Sequence, residues 1–497
     1  MLTTFGWINA LRRMFRGKPM RSVPVDEDES HRMNARHKDK LLDTPFEGIQ
    51  TLYELQRRSF NLYPSARCMG TREYLGPLDA KVKKFGDVRW KTYSQVGIAA
   101  NSFGAALRGV AGLTAAPSVA SMERLTTPCS LAIFENTCAE WMIAALGAFS
   151  QSMIVTTIYA TLGMDAVIDA VNDGIVRALL CNKRSVSSIA ARAREMPTLK
   201  VIIYTNDLIA ENEEIPLPNA TFGIHVISFE DFVAGGDTAQ YPPVPPSSST
   251  TAVIMYTSGS TGKPKGVLLT HQNILSVVAS ASEMFQVVVG EDVYLAYLPL
   301  AHILELFAEI TLLAMGCTVC YADPKTLTSA GASPIGALEQ FSPTLMAGVP
   351  KIWDIIKTNV ERKIAASSPI VKFLVNTALE ARSFAISHGY DTPLFKLLVF
   401  KKFAKVVGGR LRASISGGGP LNPDIQVFIR TVFGCPLVQG YVSQKKAIAG
   451  SNTPILLDIG LTLSSPPYVT SVIPLFRPTC LFIRALLRHV VGYLFKI

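Results

Sequence analysis

The sequence predicts an α/β fold built on parallel sheets, and three observations carry that expectation. Short runs rich in β-forming residues alternate with helical patterns through the first half of the 497-residue chain. Runs such as Ser130–Phe134, Ala178–Cys181 and Val201–Tyr204 are almost wholly apolar, as strands covered by helices on both faces are. One apolar run, Ala252–Tyr256, leads into the string Tyr256-Thr-Ser-Gly-Ser-Thr-Gly-Lys-Pro-Lys-Gly266, and a helical pattern opens shortly after it.

In chain order, Phe5, Ile8, Leu11 and Phe15 recur at helical spacing within a segment that also carries Arg12, Arg13 and Arg16. Such a segment suits an interfacial membrane helix, a targeting segment or a merely solvated end, but no secretory signal, because arginines interrupt its apolar core. Residues 26–40 are densely charged and read as a linker. Val88–Tyr93 reads as a strand, with Ser94 capping a helix that carries Val96, Ala99, Phe103 and Leu107.

From Trp141 to Met164 no residue is charged, 24 in all, yet the character changes midway. Glu140–Phe149 reads as a helix and Met153–Tyr159 as a strand, so no membrane span is expected. Helices at Met164–Asn172 and Val186–Glu195 continue the alternation. Pro242–Ser249 is a stiff, then flexible, linker. The expected units are therefore a basic end and linker (1–45), a first α/β subdomain (46–241), the linker 242–249, a second α/β subdomain (250–441) and a basic, apolar tail (442–497).

Composition limits the functions available. Apolar residues make up 48% and charged residues 17%, which suits a globular chain. The net charge of +10 divides unevenly: residues 1–25 carry +5 and 459–497 carry +4, leaving +1 between them. A nucleic-acid groove is therefore not expected. Cys317 and Cys320 form a C-x-x-C in a strongly apolar run with no second ligand pair nearby, so buried thiols are favoured over a metal or redox pair.

Chemistry concentrates at Thr257, Ser258, Gly259, Ser260, Thr261, Gly262, Lys263 and Lys265. Glycines let backbone N–H groups approach oxygens, hydroxyls donate hydrogen bonds, and two lysines neutralise charge, which is what a polyphosphate requires. The spacing is not that of the Gly-x-x-x-x-Gly-Lys NTPase loop, since Pro264 stands where its second glycine would be.

The string resembles the signature of the adenylate-forming superfamily. Tyr294–His302, Phe341–Trp353, Arg412–Pro420 and Cys435–Tyr441 follow in the superfamily's order. Glu135–Trp141, Ala347–Asp354 and the Arg72–Trp90 insertion are most similar to eukaryotic long-chain fatty acid–CoA ligases. The resemblance implies the large N-terminal domain of that fold, two parallel-sheet subdomains plus a partial β-barrel. It implies ATP held by Thr257–Lys263, with Thr257, Lys263, Lys265 and His302 in catalytic roles. Adenine would lie between Gly417, Gly418 and Gly419 and the strand bearing Gln439, Gly440 and Tyr441, and Trp353 would border a substrate tunnel. The implied reaction joins a long-chain fatty acid to AMP with Mg²⁺ present and then passes it to coenzyme A. A peripheral position on the cytoplasmic face of the endoplasmic reticulum or a mitochondrion, through the basic ends, is expected.

The pattern breaks after Tyr441. Where the family continues Gly-Leu-Thr-Glu, this chain reads Val442-Ser-Gln-Lys-Lys446, and ammonium groups offer no lone pair to Mg²⁺. No Tyr-x-Thr-Gly-Asp follows, and the family's C-terminal lid domain is expected to be absent. An ATP- and acyl-binding protein without turnover, or a peripheral membrane protein, is thus the alternative to an active ligase.

Overall fold

The computed structural model describes residues 22–24, 32–34, 37, 42–116, 126–219, 222–257, 265–283, 286–388 and 392–440. A short ribbon, β1 (Ser22–Pro24) against β2 (Arg32–Asn34), precedes helix α1 (Leu52–Leu62). The hairpin β3 (Arg67–Pro77) and β4 (Lys83–Thr92) runs into α2 (Tyr93–Gly109). Then β5 (Ser130–Phe134), α3 (Ala139–Ser150), β6 (Ile154–Thr157), α4 (Met164–Asp173), β7 (Ala178–Asn182), α5 (Val186–Ala191) and β8 (Val201–Thr205) alternate as expected. They are followed by β9 (His225–Ser228), α6 (Phe229–Ala234), β10 (Thr251–Thr257), β11 (Lys265–Thr270) and α7 (His271–Ser282). The rest comprises β12 (Val293–Ala296), α8 (Ile303–Ala314), β13 (Thr318–Tyr321), β14 (Ala332–Ser333), α9 (Ala337–Phe341), β15 (Leu345–Gly348), α10 (Pro350–Ala365), α11 (Pro369–Ser387), β16 (Ala413–Ser416), α12 (Pro423–Phe433) and β17 (Leu437–Gln439), with short helical turns between 393 and 407.

Two open sheets organise these elements. The first runs β11-β10-β6-β5-β7-β8-β9 and is parallel except for the antiparallel β10–β11 pair. The second runs β14-β4-β3-β13-β12-β15-β16-β17, parallel except for β3–β4. No barrel forms among the described residues. The segments 1–21, with the amphipathic pattern, and 441–497, the basic, apolar tail, lie outside the described residues.

The sheets correct the expected boundary at 242–249. β10 and β11 complete the first sheet, with Val253 opposite Val155 and Met255 opposite Thr157. The β3–β4 hairpin joins the second through Met69 opposite Val319. The proline-rich linker therefore connects two parts of one sheet. An apolar strand satisfies its backbone on whichever edge is open to it, regardless of the linker that precedes it.

The uncharged stretch divides as its pattern predicts. All of α3 except Glu140 is buried, and every residue of β6 is buried, so the charge-free run is core. Among the described residues no helix is long and apolar enough to cross a membrane. Helix α2 is capped by Thr92 and not by Ser94. Thr92 Oγ1 accepts from Gln95 N at 3.2 Å, and Gln95 Oε1 accepts from Thr92 N at 2.8 Å, a reciprocal pair that Ser94 does not form. Cys317 and Cys320 are buried free thiols, and burial pushes both above the usual thiol range. No group of metal-ligating side chains occurs among the described residues.

Helices α2 and α3 touch through glycine. A Cβ on Gly104 would stand 2.5 Å from Gly147 O, and one on Gly147 would stand 2.7 Å from Ala100 O. Backbone meets backbone here, so neither helix can yield by rotating a side chain. Gly104→Leu is expected to lower stability by about 3 kcal/mol, the upper end of overpacking costs, read from the urea midpoint. An unchanged midpoint would show that the two helices separate without cost.

Candidate functional site

Ligands of open parallel sheets bind beyond the carboxyl ends of the strands. In the second sheet those ends bring together Gly348 of β15, the Ser416–Gly419 turn after β16, Gly440 after β17, and the Tyr297–His302 loop after β12. Backbone bonds fix their mutual distance. Gly417 N donates to Gly348 O at 3.1 Å and Gly440 N to Ser416 O at 2.7 Å. Tyr297 Oη donates to Ala347 O at 2.7 Å, tying the loop to the neighbouring strand.

Gly417 is buried in this junction, and Gly418 and Gly419 are exposed. A Cβ there would sit 2.9 Å from Leu304 Cδ2 and 3.3 Å from Gly440 O. Gly418 follows with φ +78°, a left-handed turn that glycine adopts freely. Beside them Ser416 Oγ is buried and has no hydrogen-bond partner. An orphaned hydroxyl next to a side-chain-free surface is a site for a flat, polar ligand. Gln439 is already engaged: its Oε1 accepts from Leu421 N at 3.3 Å and its Nε2 donates to Gln426 Oε1 at 3.3 Å, which braces the turn.

His302 caps α8, its Nδ1 accepting from Leu304 N at 3.1 Å. Burial lowers its pKa, so the ring is neutral, and with Nδ1 accepting its proton lies on Nε2. His302 therefore enters the site as a hydrogen-bond donor on the same first turn that places Leu304 against Gly417. For Trp353 a place beside a tunnel and a place in the core were both open. It is fully buried in α10 under Gly348, and its Nε1 has no partner. The apolar cavity nearby, about 30 Å³, is lined instead by residues such as Tyr294, Phe307, Thr311, Met346 and Ile415.

The glycine-rich loop rises from the β10–β11 hairpin, whose ladder ends with Thr257 opposite Lys265. The next helix in sequence begins at His271. Ser258, Gly259, Ser260, Thr261, Gly262, Lys263 and Pro264 lie outside the described residues, as does Tyr441. The structure thus brings His302, Gly417, Gly418, Gly419, Gln439 and Gly440 to one strand-end cluster.

A buried acid pair stands beneath the site and was not anticipated. Glu305 and Glu309 are one turn apart on α8, and neither is exposed. Tyr294 Oη donates to Glu305 Oε2 and Tyr321 Oη to Glu309 Oε2, each at 2.8 Å, while both Oε1 atoms lack a neutral donor. Two acids four residues apart in an otherwise uncharged helix were the signal in the sequence. Burial and the adjacent carboxyl push Glu305 well above the usual range, and burial pushes Glu309 up to about 8. The pair therefore keeps a proton at neutral pH.

Comparison with known proteins now bears on this geometry. The family model described as AMP-binding enzyme matches residues 74–443. The chain belongs to this AMP-binding family. Among its relatives, Long chain acyl-CoA synthetase 8 of Arabidopsis thaliana is 33% identical, over 86% of this chain and 59% of its own length. Long-chain-fatty-acid–CoA ligase 1 of Schizosaccharomyces pombe is 29% identical, over 84% of this chain and 63% of its own. The chain thus spans about three fifths of the length of the relatives it matches. Its fold is similar to the adenylation domain of a carboxylate reductase from Mycobacterium chelonae, with TM-score 0.60 and 16% identity over 81% of this chain and 59% of that one. A second such domain, from Segniliparus rugosus in complex with AMP and a carboxylic acid, gives TM-score 0.59 at 15% identity, over 81% of this chain and 62% of that one.

The acid pair makes a definite pH dependence. An unfolded glutamate titrates near 4.3, whereas Glu309 in the fold holds its proton to about 8. Between these values the folded state binds more protons, so Glu309 stabilises the fold fully below about 4.3 and loses that contribution as pH rises to 8. Relative to Glu309→Gln, wild type should lose about 1 kcal/mol of unfolding free energy per pH unit from pH 6 to 8. Urea unfolding at each pH measures it, and parallel curves for the two proteins would sink the assignment.

Proposed function

We propose that this chain binds ATP and a long-chain fatty acid in the manner of the long-chain fatty acid–CoA ligases, and that its own rate of adenylate formation is low. The single observation that carries the binding half is the strand-end cluster, where the exposed Gly418 and Gly419 present bare backbone next to the orphaned Ser416 hydroxyl. These residues fit an adenine: a flat ring would lie on Gly418 and Gly419 without meeting a Cβ, with Ser416 Oγ as a hydrogen-bonding group beside it. Thr257 and Lys265, which flank the glycine-rich loop, would face the phosphates with Lys263, neutralising charge as it develops. His302, neutral and donating through Nε2, would orient the carboxylate. The acyl chain would enter the apolar cavity under α8, which at about 30 Å³ must widen to admit it.

The low rate rests on Val442-Ser-Gln-Lys-Lys446. Lys445 stands in the place of the glutamate that the resemblance assigns to Mg²⁺, with Lys446 next to it in sequence, so these residues do not fit the metal. The family match stops at residue 443, where the pattern departs. Mg²⁺ polarises phosphoryl oxygens where it is held, and coenzyme A accepts the acyl group in the complete reaction. The alternative, an active ligase, requires another group to supply that charge. A peripheral position on the cytoplasmic face of an internal membrane belongs to the same reading.

Two measurements test it. Palmitate-dependent ATP–pyrophosphate exchange is expected at about 1% or less of that of a relative carrying the glutamate, a deficit of at least 2.7 kcal/mol in transition-state stabilisation. Exchange at the relative's rate would overturn the claim of impaired turnover. Binding of a fluorescent ATP analogue should persist in this chain and weaken at least about tenfold in Gly419→Leu, which covers the exposed turn. Equal binding by the variant would remove the strand-end cluster from the ATP site.

A further inference from the structure

Helix α11 presents the wrong face to water. Its inward side carries Val375, Ala378 and Arg382, all buried, as an amphipathic helix should. Its outward side carries Ile370, Phe373 and Phe384, which are 68%, 67% and 67% exposed. At 100° per residue these three fall within about 60° of one another, so they form one stripe. Phe373 and Phe384 stand about 16 Å apart along the axis, as separate points and not as one concave groove. Leu398, 48% exposed, adds a fourth point on the segment packed against α11, where Arg382 lies over the Phe400 ring at 5.1 Å.

Basic side chains flank both ends of the stripe. Arg362 and Lys363 close α10 one short turn before Ile370, and Lys401 and Lys402 follow Phe400; all four are exposed. Residues 351–405 hold ten lysines and arginines against four acids, a local net charge of +6. The sequence expectation that excess charge belongs only to the chain's ends is corrected here. The small net charge of the middle hides this block because the remainder of the middle is acidic.

We propose that the exposed face of α11, with Arg362–Lys363 and Lys401–Lys402, docks this protein on an anionic lipid surface. Apolar side chains inserting at the headgroup boundary while lysines meet anionic lipids is the chemistry of interfacial helices. Charge decides among occupants. A second copy docked through this face would set lysine against lysine, and lysine is depleted from protein interfaces. An anionic bilayer attracts all four flanking charges, and a fluid surface accepts scattered insertion points that no rigid partner needs to match. This docking does not depend on whether the chain turns over substrate.

The test reads this face separately from the basic chain ends. An environment-sensitive fluorophore is placed at Phe373→Cys, and as control at the exposed Ile98→Cys, in full-length protein carrying Cys480→Ser; seven other cysteines are buried. On adding phosphatidylcholine vesicles containing phosphatidylserine, the label at 373 should shift to the blue and brighten, and the label at 98 should not. Phe373→Ser/Phe384→Ser and Lys401→Glu/Lys402→Glu should each weaken vesicle co-sedimentation at least about tenfold while leaving the melting temperature unchanged. No shift at 373, an equal shift at 98, or the same response to uncharged vesicles would overturn the proposal. A shift that follows protein concentration without lipid would instead mark self-association and also overturn it.

Discussion

The geometry of the site depends on the complete burial of α8. Every residue of this helix is buried, from Ile303 to Ala314, so each polar group on it must be satisfied inside the protein. Its two glutamates meet that demand with Tyr294 on β12, Tyr321 on β13 and each other. The bonds pin the helix to two adjacent strands of the second sheet. Because His302 caps this helix and Leu304 touches Gly417, the position of the strand-end cluster follows from the position of α8. A carboxyl pair with no cation beside it among the described residues is an expensive anchor, since each charge it gained would face low dielectric. Holding a proton avoids that cost, and it makes the helix more firmly seated in acid than in alkali.

Much of the fold was legible from residue patterns, for physical reasons that also mark where legibility ends. Ser130–Phe134 and Ala178–Asn182 are strands because the continuous apolar runs within them, Leu131–Phe134 and Ala178–Cys181, are best satisfied inside a covered sheet. The cap of α2 was misread because Thr92 sits within a strand-like run; the capping box that gives it away needs Gln95 to fold back. The subdomain boundary was not legible at all. Strand pairing is a fact about partners far along the chain, and neither the Pro242–Ser249 linker nor the local pattern of β3 encodes it.

The site divides along similar lines. Glycines 417–419 and His302 were visible because side-chain-free turns and a lone histidine stand out at the level of single residues. Ser416 was invisible, since only the fold shows that its hydroxyl is buried and unengaged. Trp353 was open between tunnel and core because its place in the string carries no burial, and the fold shows it packed beneath Gly348. The basic, apolar surface of 351–405 was lost in a sum: charge counted over hundreds of residues averages away a block that acts within a Debye length of roughly 8 Å.

The exchange of strands between the two sheets has a consequence for how the protein is made. The β3–β4 hairpin leaves the ribosome well before β13, the strand it must pair with. At about 5–20 residues per second, the intervening synthesis lasts roughly 10–50 s. Throughout that interval β3 offers an open edge carrying the apolar side chains of Cys68 and Met69, both buried in the finished protein. The nascent chain must therefore keep one half of its second sheet waiting, and the cell's capacity to shield that edge limits how much of the protein reaches its folded state.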